Sequence, residues 1–177
     1  FELFENLPLI SYQALKDIKF DNKFSPNSRQ HKFMKEIFEY DFSNNERYKK
    51  AQEFLKNWDL GTNSESKHAA FGVCILSPEW LAEIQREQRP DPIQIFKDCV
   101  DEFFTNFGTL DIAWSNVNFL QRDEKMFHIQ GGPDVLRAIY APRSEDGILK
   151  AVAGDGLYIF VHWNDDQEMI SESIHQF

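Results

Sequence analysis

Hydroxyl groups are plentiful in this 177-residue chain, yet their spacing predicts no nucleophilic site. The serines cluster at predicted caps and turns, and no Gly-x-Ser-x-Gly turn presents one of them. Hydrolases whose nucleophile is the first residue use its freed α-amine as the base, but this chain begins with Phe1. Internal release would need cleavage at Gly61-Thr62 or Gly108-Thr109. Both glycines follow predicted helix ends, where glycine is a stop signal, so we predict no catalytic residue.

The histidines and aspartates near residue 165 are the strongest candidate metal ligands. His162 and His175 fall on consecutive predicted strands, with Asp165 and Asp166 in the loop between them. A hairpin that folds near Asp166 would pair His175 with residue 157 or 158, on the order of 13–17 Å from His162. That separation is too large for one ion, so we predict no shared metal site. For the two aspartates, a solvated turn without an ion is favoured. The alternative is a weakly bound calcium ion.

The two cysteines are predicted to be buried thiols. Cys74 lies in the apolar run 69–76, and Cys99 lies on the apolar side of the segment 92–107. Unpaired cysteine is among the most buried residue types, so burial is favoured over a disulfide or a nucleophile. The two cysteines therefore do not decide whether the protein occupies a reducing or an oxidising compartment.

The segment Gly131-Gly132-Pro133-Asp134 is the candidate phosphate loop. A phosphate cradle needs a following helix N-terminus, and residues 135–141 could form one. However, Asp134 places a negative charge where the anion would bind, which favours a tight turn entering a buried strand. We therefore predict no cofactor site. Three further carboxylates lie on the polar side of a predicted helix, where charge is expected without catalysis: Asp98, Asp101 and Glu102.

The composition argues against nucleic acid or an anionic membrane as a partner. Net charge is −10 and the pI is near 4.9, whereas phosphate binding needs clustered cations. The tightest basic pair, Lys49-Lys50, has Glu46 and Glu53 near it on one predicted helix, which indicates a solvated face. No segment approaches the ~18 apolar residues of a membrane span. The seventeen Phe and four Trp predict thick layers of packed rings.

Residues 1–109 are predicted to form a mainly helical layer. The apolar run 69–76 predicts a buried helix, and Ser77-Pro78 would then open a separate helix. Gly108 ends the last helix. Apolar residues also recur at spacings of three and four in segments that begin at a capping residue: Ser11, Ser28, Asn45 and Asp91.

Residues 110–177 are predicted to be the strand-rich part of the same domain. Short apolar runs alternate there with Gly, Pro and Asp turns, which is typical of strands. In the run 157–163 the odd and the even positions are both apolar, so we expect both faces of that strand to be covered. Residues 164–168 would form a hairpin loop. Because the last strand runs to Phe177, we expect the chain to be an excerpt of a larger protein. The predicted strands are residues 126–129, 135–141, 148–153, 157–163 and 169–177.

Four residue strings resemble landmarks of the penicillin acylase family. They are LKDIKFDNKFS (15–25), FLKNWD (54–59), GGPDVLRAIY (131–140) and SIHQF (173–177). The most similar branch is that of the acyl-homoserine lactone and aculeacin-type acylases. The strings span nearly the whole chain and keep the family's order, whereas residues 62–110 match least well.

The resemblance implies an amide hydrolase made as a precursor that cuts itself into two chains. Its fold is an αββα sandwich with two sheets between helical layers, and this chain would be an α+β fragment of it, with antiparallel strands after helices. The implied serine nucleophile, a nearby histidine and an oxyanion asparagine all precede Phe1. No catalytic, cofactor-binding or metal-binding residue is therefore carried over, and the isolated chain would be inactive. The implied partners are the remainder of the precursor and a small acyl amide, in a periplasmic or secreted setting.

The alternative hypothesis is a non-enzymatic, acidic interaction module built from helices and a sheet. An excerpt that lacks its partner strands should self-associate or expose apolar patches through an unpaired edge. A self-contained module should instead be a soluble monomer that unfolds cooperatively.

Overall fold

Five α-helices precede the strands in the computed structural model, which describes residues 3–5 and 9–175. The predicted α+β class, helical in its first two thirds and strand-rich afterwards, is confirmed. No helix in the described residues is long and apolar enough to cross a membrane. The helices are α1 (Tyr12–Lys19), α2 (Arg29–Glu39), α3 (Glu46–Lys56), α4 (Ala69–Gln85) and α5 (Pro92–Asn106).

Side-chain caps start four of these helices where the sequence predicts them. Ser11 Oγ accepts a hydrogen bond from the backbone N–H of Ala14 at 3.1 Å, and Ser28 Oγ caps α2 in the same way. Asn45 and Asp91 cap α3 and α5. Each cap satisfies backbone donors that have no partner inside the helix.

The predicted break at Ser77-Pro78 is wrong, because α4 runs through Pro78 as one helix. Pro78 cannot donate a backbone hydrogen bond, and a proline in a helix interior costs about 3 kcal/mol. The hydroxyl of the preceding residue, Ser77, donates to the carbonyl of Val73 at 2.6 Å. Residues 69–76 are buried on every side, so the packing of α4 in the core outweighs the local cost.

The strands form three small sheets. β1 pairs with β2 in antiparallel and with β4 in parallel orientation, β3 pairs with β5, and β6 pairs with β7. Their bounds are β1 (Asn118–Arg122), β2 (Lys125–His128), β3 (Ile139–Tyr140), β4 (Leu149–Lys150), β5 (Ala153–Gly154), β6 (Leu157–Trp163) and β7 (Met169–His175).

The predicted strand at 135–141 is mostly wrong. Only Ile139–Tyr140 is strand, because Asp134 takes a left-handed conformation (φ 61°) and turns the chain before it. The expected strand at 148–153 divides into β4 and β5, which belong to different sheets. β1 was not predicted at all.

The β6–β7 hairpin has the predicted loop and register, with Leu157 opposite His175 and Trp163 opposite Met169. The prediction that both faces of β6 are covered is wrong for the described residues. Tyr158 and Phe160 are buried, whereas the alternate positions on β6 are 44–64% exposed: Leu157, Ile159, Val161 and Trp163.

The core lies between α2, α3, α4 and α5 and is rich in aromatic rings, as the composition predicts. Phe71 packs edge-on against Phe96 and Phe103, with ring centroids 5.9 and 5.5 Å apart. Trp114 and Leu149 belong to the same buried cluster, so part of the strand-rich segment shares the core of the helices.

Candidate functional site

A cleft of about 550 Å³ separates the α4–α5 pair from residues 139–152. This volume lies within the range of about 300–1,000 Å³ that is typical of small-molecule sites. Its walls are mainly apolar, and its polar groups are concentrated on α5 and on the segment that follows β3. Trp80, Leu81 and Val152 form part of the apolar wall, and the charged groups are Asp98, Glu102 and Arg143.

A disulfide between Cys74 and Cys99 forms part of the cleft wall and links α4 to α5. The two Cα atoms are 6.2 Å apart, within the range that a disulfide spans. The expectation of burial holds, at 5% and 4% exposure, but the prediction of two thiols is wrong. Spacing along the chain could not show that the helices bring these residues together.

The ion pair of Glu102 and Arg143 supplies the main charges of the cleft. Arg143 Nη1 lies 3.3 Å from Glu102 Oε1, and the same nitrogen donates to the carbonyl of Gly147 at 3.5 Å. Burial lowers the pKa of the Arg143 guanidinium, and the Glu102 carboxylate opposes that shift. Glu102 therefore has a partner that its place on the polar side of a helix did not predict.

Two aromatic rings from distant segments stack beside the cleft. The indole of Trp80 on α4 lies parallel to the ring of Tyr140, with centroids 5.1 Å apart and an interplanar angle of 13°. Neither this pair nor Arg143 could be predicted from the sequence, because Trp80 and Tyr140 lie 60 positions apart and no local pattern connects them.

The other carboxylates on the polar side of α5 have structural partners. Asp101 pairs with Arg47 at 3.3 Å, and Asp98 accepts a hydrogen bond from Gln94. The basic pair on α3 is solvated as predicted, with Lys50 close to Glu46 and both side chains exposed.

The glycine-rich segment forms a turn that docks on α2 and is not arranged to bind phosphate. Asp134 accepts a hydrogen bond from Gln30 and lies 3.7 Å from Arg29 Nη2. Arg29 also contacts the buried carboxylate of Glu79, with Nε and Oε1 2.6 Å apart. The carboxylate of Asp134 therefore lies near Arg29, whose single positive charge is shared with Glu79 and Glu83.

The candidate metal ligands of the hairpin do not converge. His162 pairs with Ile170 near the loop, whereas the backbone of His175 pairs with Leu157 at the other end. The ring of His162 packs on Tyr12, with centroids 4.4 Å apart. Within residues 3–5 and 9–175, no group of three His, Cys, Asp or Glu side chains is placed to hold a metal ion.

Both Gly-Thr sites have structural roles. Thr62 is fully buried, and its hydroxyl donates to the carbonyl of Asn22 at 2.6 Å. Gly108 follows α5 with φ +70°, a conformation that glycine adopts easily, and Thr109 Oγ1 accepts from the N–H of Asp111. Thr62 and Gly108 thus have structural roles that do not depend on cleavage.

Two of the four strings that resemble the penicillin acylase family, residues 15–25 and 54–59, contact each other. Lys23 and Asp59 form an ion pair at 2.7 Å, and Phe24 packs against Trp58 with ring centroids 5.6 Å apart. The backbone N–H of Phe24 also donates to Leu60. The string 15–25 is therefore fixed against the string 54–59.

The same N-terminal string contacts the third string and the residue before the fourth. Lys19 Nζ donates to the carbonyl of Leu136 at 2.7 Å, and the N–H of Arg137 donates to Asp21. Lys16 pairs with Glu172, immediately before the last string, at 2.8 Å. Three of the four strings thus form one connected contact network, which also includes the residue before the fourth string. Neither the models of known protein families nor the sequences of curated proteins match this chain.

Proposed function

We propose that this chain is part of a penicillin-acylase-type amidohydrolase, which cleaves the amide bond between an acyl chain and an amine. The serine nucleophile belongs to a segment outside these 177 residues. The attack of that serine on the amide carbonyl, the acyl-enzyme and its hydrolysis are chemistry of the larger enzyme.

The observation that carries the proposal is the contact network of three of the four strings. Residues 15–25 touch two other strings at Asp59 and Leu136, and they touch Glu172, the residue before the fourth string, through ion pairs and hydrogen bonds. Strings that resemble one family in order along the chain are thus also neighbours in space. Such contacts are expected if the strings are the shared framework of one fold.

The uncovered face of the β6–β7 hairpin supports the same proposal. The hairpin packs one face on α1 and leaves a row of apolar side chains exposed on the other. In a sandwich, a second sheet covers that face at a distance of about 10 Å. We infer that the remainder of the precursor supplies this sheet.

The disulfide supports a periplasmic or secreted location for the enzyme. Disulfides form and persist mainly in oxidising compartments. The buried link between Cys74 and Cys99 is compatible with such a compartment.

The test compares the 177-residue chain with the longer polypeptide that its gene encodes. We expect the longer polypeptide to cut itself, to hydrolyse N-acyl amides and to be labelled by a serine-directed reagent. The isolated chain should do none of these. Ninhydrin detection of released amine and intact-mass spectrometry of the processed chains are the measurements.

Two results would count against the proposal. Turnover by the isolated chain that a serine reagent abolishes would place the nucleophile within these residues. A longer polypeptide that neither processes itself nor releases amine would favour the non-enzymatic interaction module.

A further inference from the structure

The α4–α5 cleft has an excess of negative charge. Its charged lining residues are the carboxylates of Asp98 and Glu102 and the guanidinium of Arg143, so one negative charge is left over. Asp98 and Glu102 lie four positions apart on α5, a spacing that places both side chains on one face of the helix, one turn apart. The charge of the cleft therefore favours a cation over an anion.

The positive charge of Arg143 is directed at the protein itself. Its Nη1 lies 3.3 Å from Glu102 Oε1 and donates to the carbonyl of Gly147 at 3.5 Å. The guanidinium carbon lies 5.7 Å from the centre of the buried Phe103 ring. The side chain of Arg143 is 18% exposed, whereas that of Glu102 is 33% exposed. A ligand in the cleft thus has readier access to the carboxylate than to the guanidinium.

Each of the two carboxylates retains an oxygen that can accept a hydrogen bond. Glu102 Oε2 lies 3.9 Å from Cys74 Sγ, but a sulfur in a disulfide carries no proton, so this contact is not a hydrogen bond. Asp98 Oδ1 accepts from the amide of Gln94 at 2.8 Å, and Oδ2 has no donor among the described residues. A primary ammonium has three N–H donors and can reach both open oxygens.

The rest of the cleft wall requires an apolar body behind such a head group. Leu81 is 45% exposed and Val152 is 73% exposed, and both line the cleft. The stacked rings of Trp80 and Tyr140 lie beside them. A hydrocarbon chain that covers these side chains removes apolar surface from water, which stabilises the complex.

We propose that this cleft binds a primary ammonium with an apolar body, with the head group between Asp98 and Glu102. The body lies on the wall formed by Trp80, Leu81 and Val152. The inference goes beyond the proposed acylase activity, because the ligand carries no amide bond and the site needs no nucleophile.

The test compares hexylammonium with three probes that each lack one feature. Hexanol has the same chain without charge, hexanoate has the opposite charge, and methylammonium has the charge without the chain. Each is titrated into the 177-residue chain and followed by calorimetry and tryptophan fluorescence. We expect saturable binding of one hexylammonium, and binding of each other probe weaker by about tenfold or more. Absence of saturable hexylammonium binding, or equal binding of any other probe, would overturn the proposal.

Asp98→Asn and Asp101→Asn form a matched pair of variants. Each removes one negative charge from α5, but only Asp98 lines the cleft. We expect Asp98→Asn to weaken hexylammonium binding by about threefold, as for an exposed charge pair, and Asp101→Asn to leave it unchanged. Equal effects of the two would show that the ligand responds to overall charge and would overturn the placement of the head group.

A second pair tests the apolar wall. Leu81 and Ile84 are both half-exposed on α4, and only Leu81 lines the cleft. Leu81→Lys should abolish hexylammonium binding, since it puts a cation in place of apolar surface, and Ile84→Lys should preserve it. Unchanged binding in a folded Leu81→Lys variant would overturn the proposal.

The two proposals are separable. Self-processing and amide hydrolysis by the longer polypeptide do not depend on hexylammonium binding in the cleft. Failure of the binding tests therefore leaves the acylase proposal intact, and failure of the acylase tests leaves the cleft proposal intact.

Discussion

Gly72 is a residue at which α4 passes close to the indole of Trp58. A methyl group on its Cα would overlap carbon atoms of that ring. Trp58 is buried and is held by a hydrogen bond from its Nε1 to the carbonyl of Gly61 at 2.8 Å. Because Gly72 lies within a regular helix, this position needs glycine for space and not for its conformational freedom.

Gly72→Ala should therefore destabilise the protein by about 1–3 kcal/mol through overpacking, despite the better helix propensity of alanine. Gly156→Ala is the control, because a Cβ there meets nothing within 4 Å. Urea unfolding followed by circular dichroism measures both. Equal stability of the two variants would contradict this account of Gly72.

Glu172 is the residue that joins β7 to α1. It accepts hydrogen bonds from Lys16 Nζ at 2.8 Å and from the hydroxyl of Tyr12 at 2.7 Å. These contacts, with Lys16 as the larger cause, hold the pKa of Glu172 below its ordinary value of 4.5. A carboxyl group whose pKa is lowered on folding stabilises the folded state at pH values above its ordinary pKa. This stabilisation is lost as the pH falls through the lowered pKa.

Glu172→Gln should therefore loosen the hairpin at pH 7 and make little difference well below pH 4.5. The measurement is the hydrogen-exchange rate of the β6–β7 amides, taken as the ratio of variant to wild type at each pH. Glu124→Gln, at an exposed turn position, is the control and should show a ratio near one throughout. A Glu172→Gln ratio that does not change with pH would rule out the ion pair as the cause.

At the scale of elements, α4 and α5 are the central pair of the fold. α4 is buried along residues 69–76, and α5 contributes Phe96, Val100 and Phe103 to the same core. The disulfide joins the two helices across 25 residues. A link that closes a loop of this length removes conformational entropy from the unfolded chain.

Reduction of the Cys74–Cys99 bond should lower the free energy of unfolding by roughly 3 kcal/mol on the loop-entropy model. Urea titrations with and without dithiothreitol measure the difference. The Cys74→Ala/Cys99→Ala double variant is the control, since reductant should not change its midpoint. If the wild-type midpoint is also insensitive to reductant, the bond does not stabilise the fold.

At the scale of the whole molecule, two opposing surface properties govern association. The outer face of β6 exposes Ile159 at 60% and Trp163 at 64%, and the hairpin pairs with no other described strand. Exposed apolar faces and open strand edges promote association. The net charge of −10 opposes it, and salt screens that repulsion.

The isolated chain should therefore self-associate more strongly as salt is raised. Sedimentation velocity at low and at physiological ionic strength measures this. Ile159→Lys should shift the chain to monomer, whereas Phe127→Lys, an exposed apolar position on β2, should not. A monomer at every salt concentration would favour the self-contained interaction module.

The sequence predicted the features that depend on neighbours along the chain. Helix starts at Ser11 and Asp91 follow from side chains that cap their own first turn. The register of the β6–β7 hairpin follows from its short loop. The α+β class follows from the order of these local patterns.

Only the tertiary structure decided the features that depend on distant partners. Burial of α4 determined that the helix continues through Pro78, and the packing of α4 on α5 placed Cys74 beside Cys99. Glu102 meets Arg143 across 41 residues, so no local pattern could connect them. The periodicity of the sequence predicts the helices and the hairpin, because hydrogen bonds between nearby backbone groups form them. The cleft could not be predicted in this way, since it exists only where separate elements pack together.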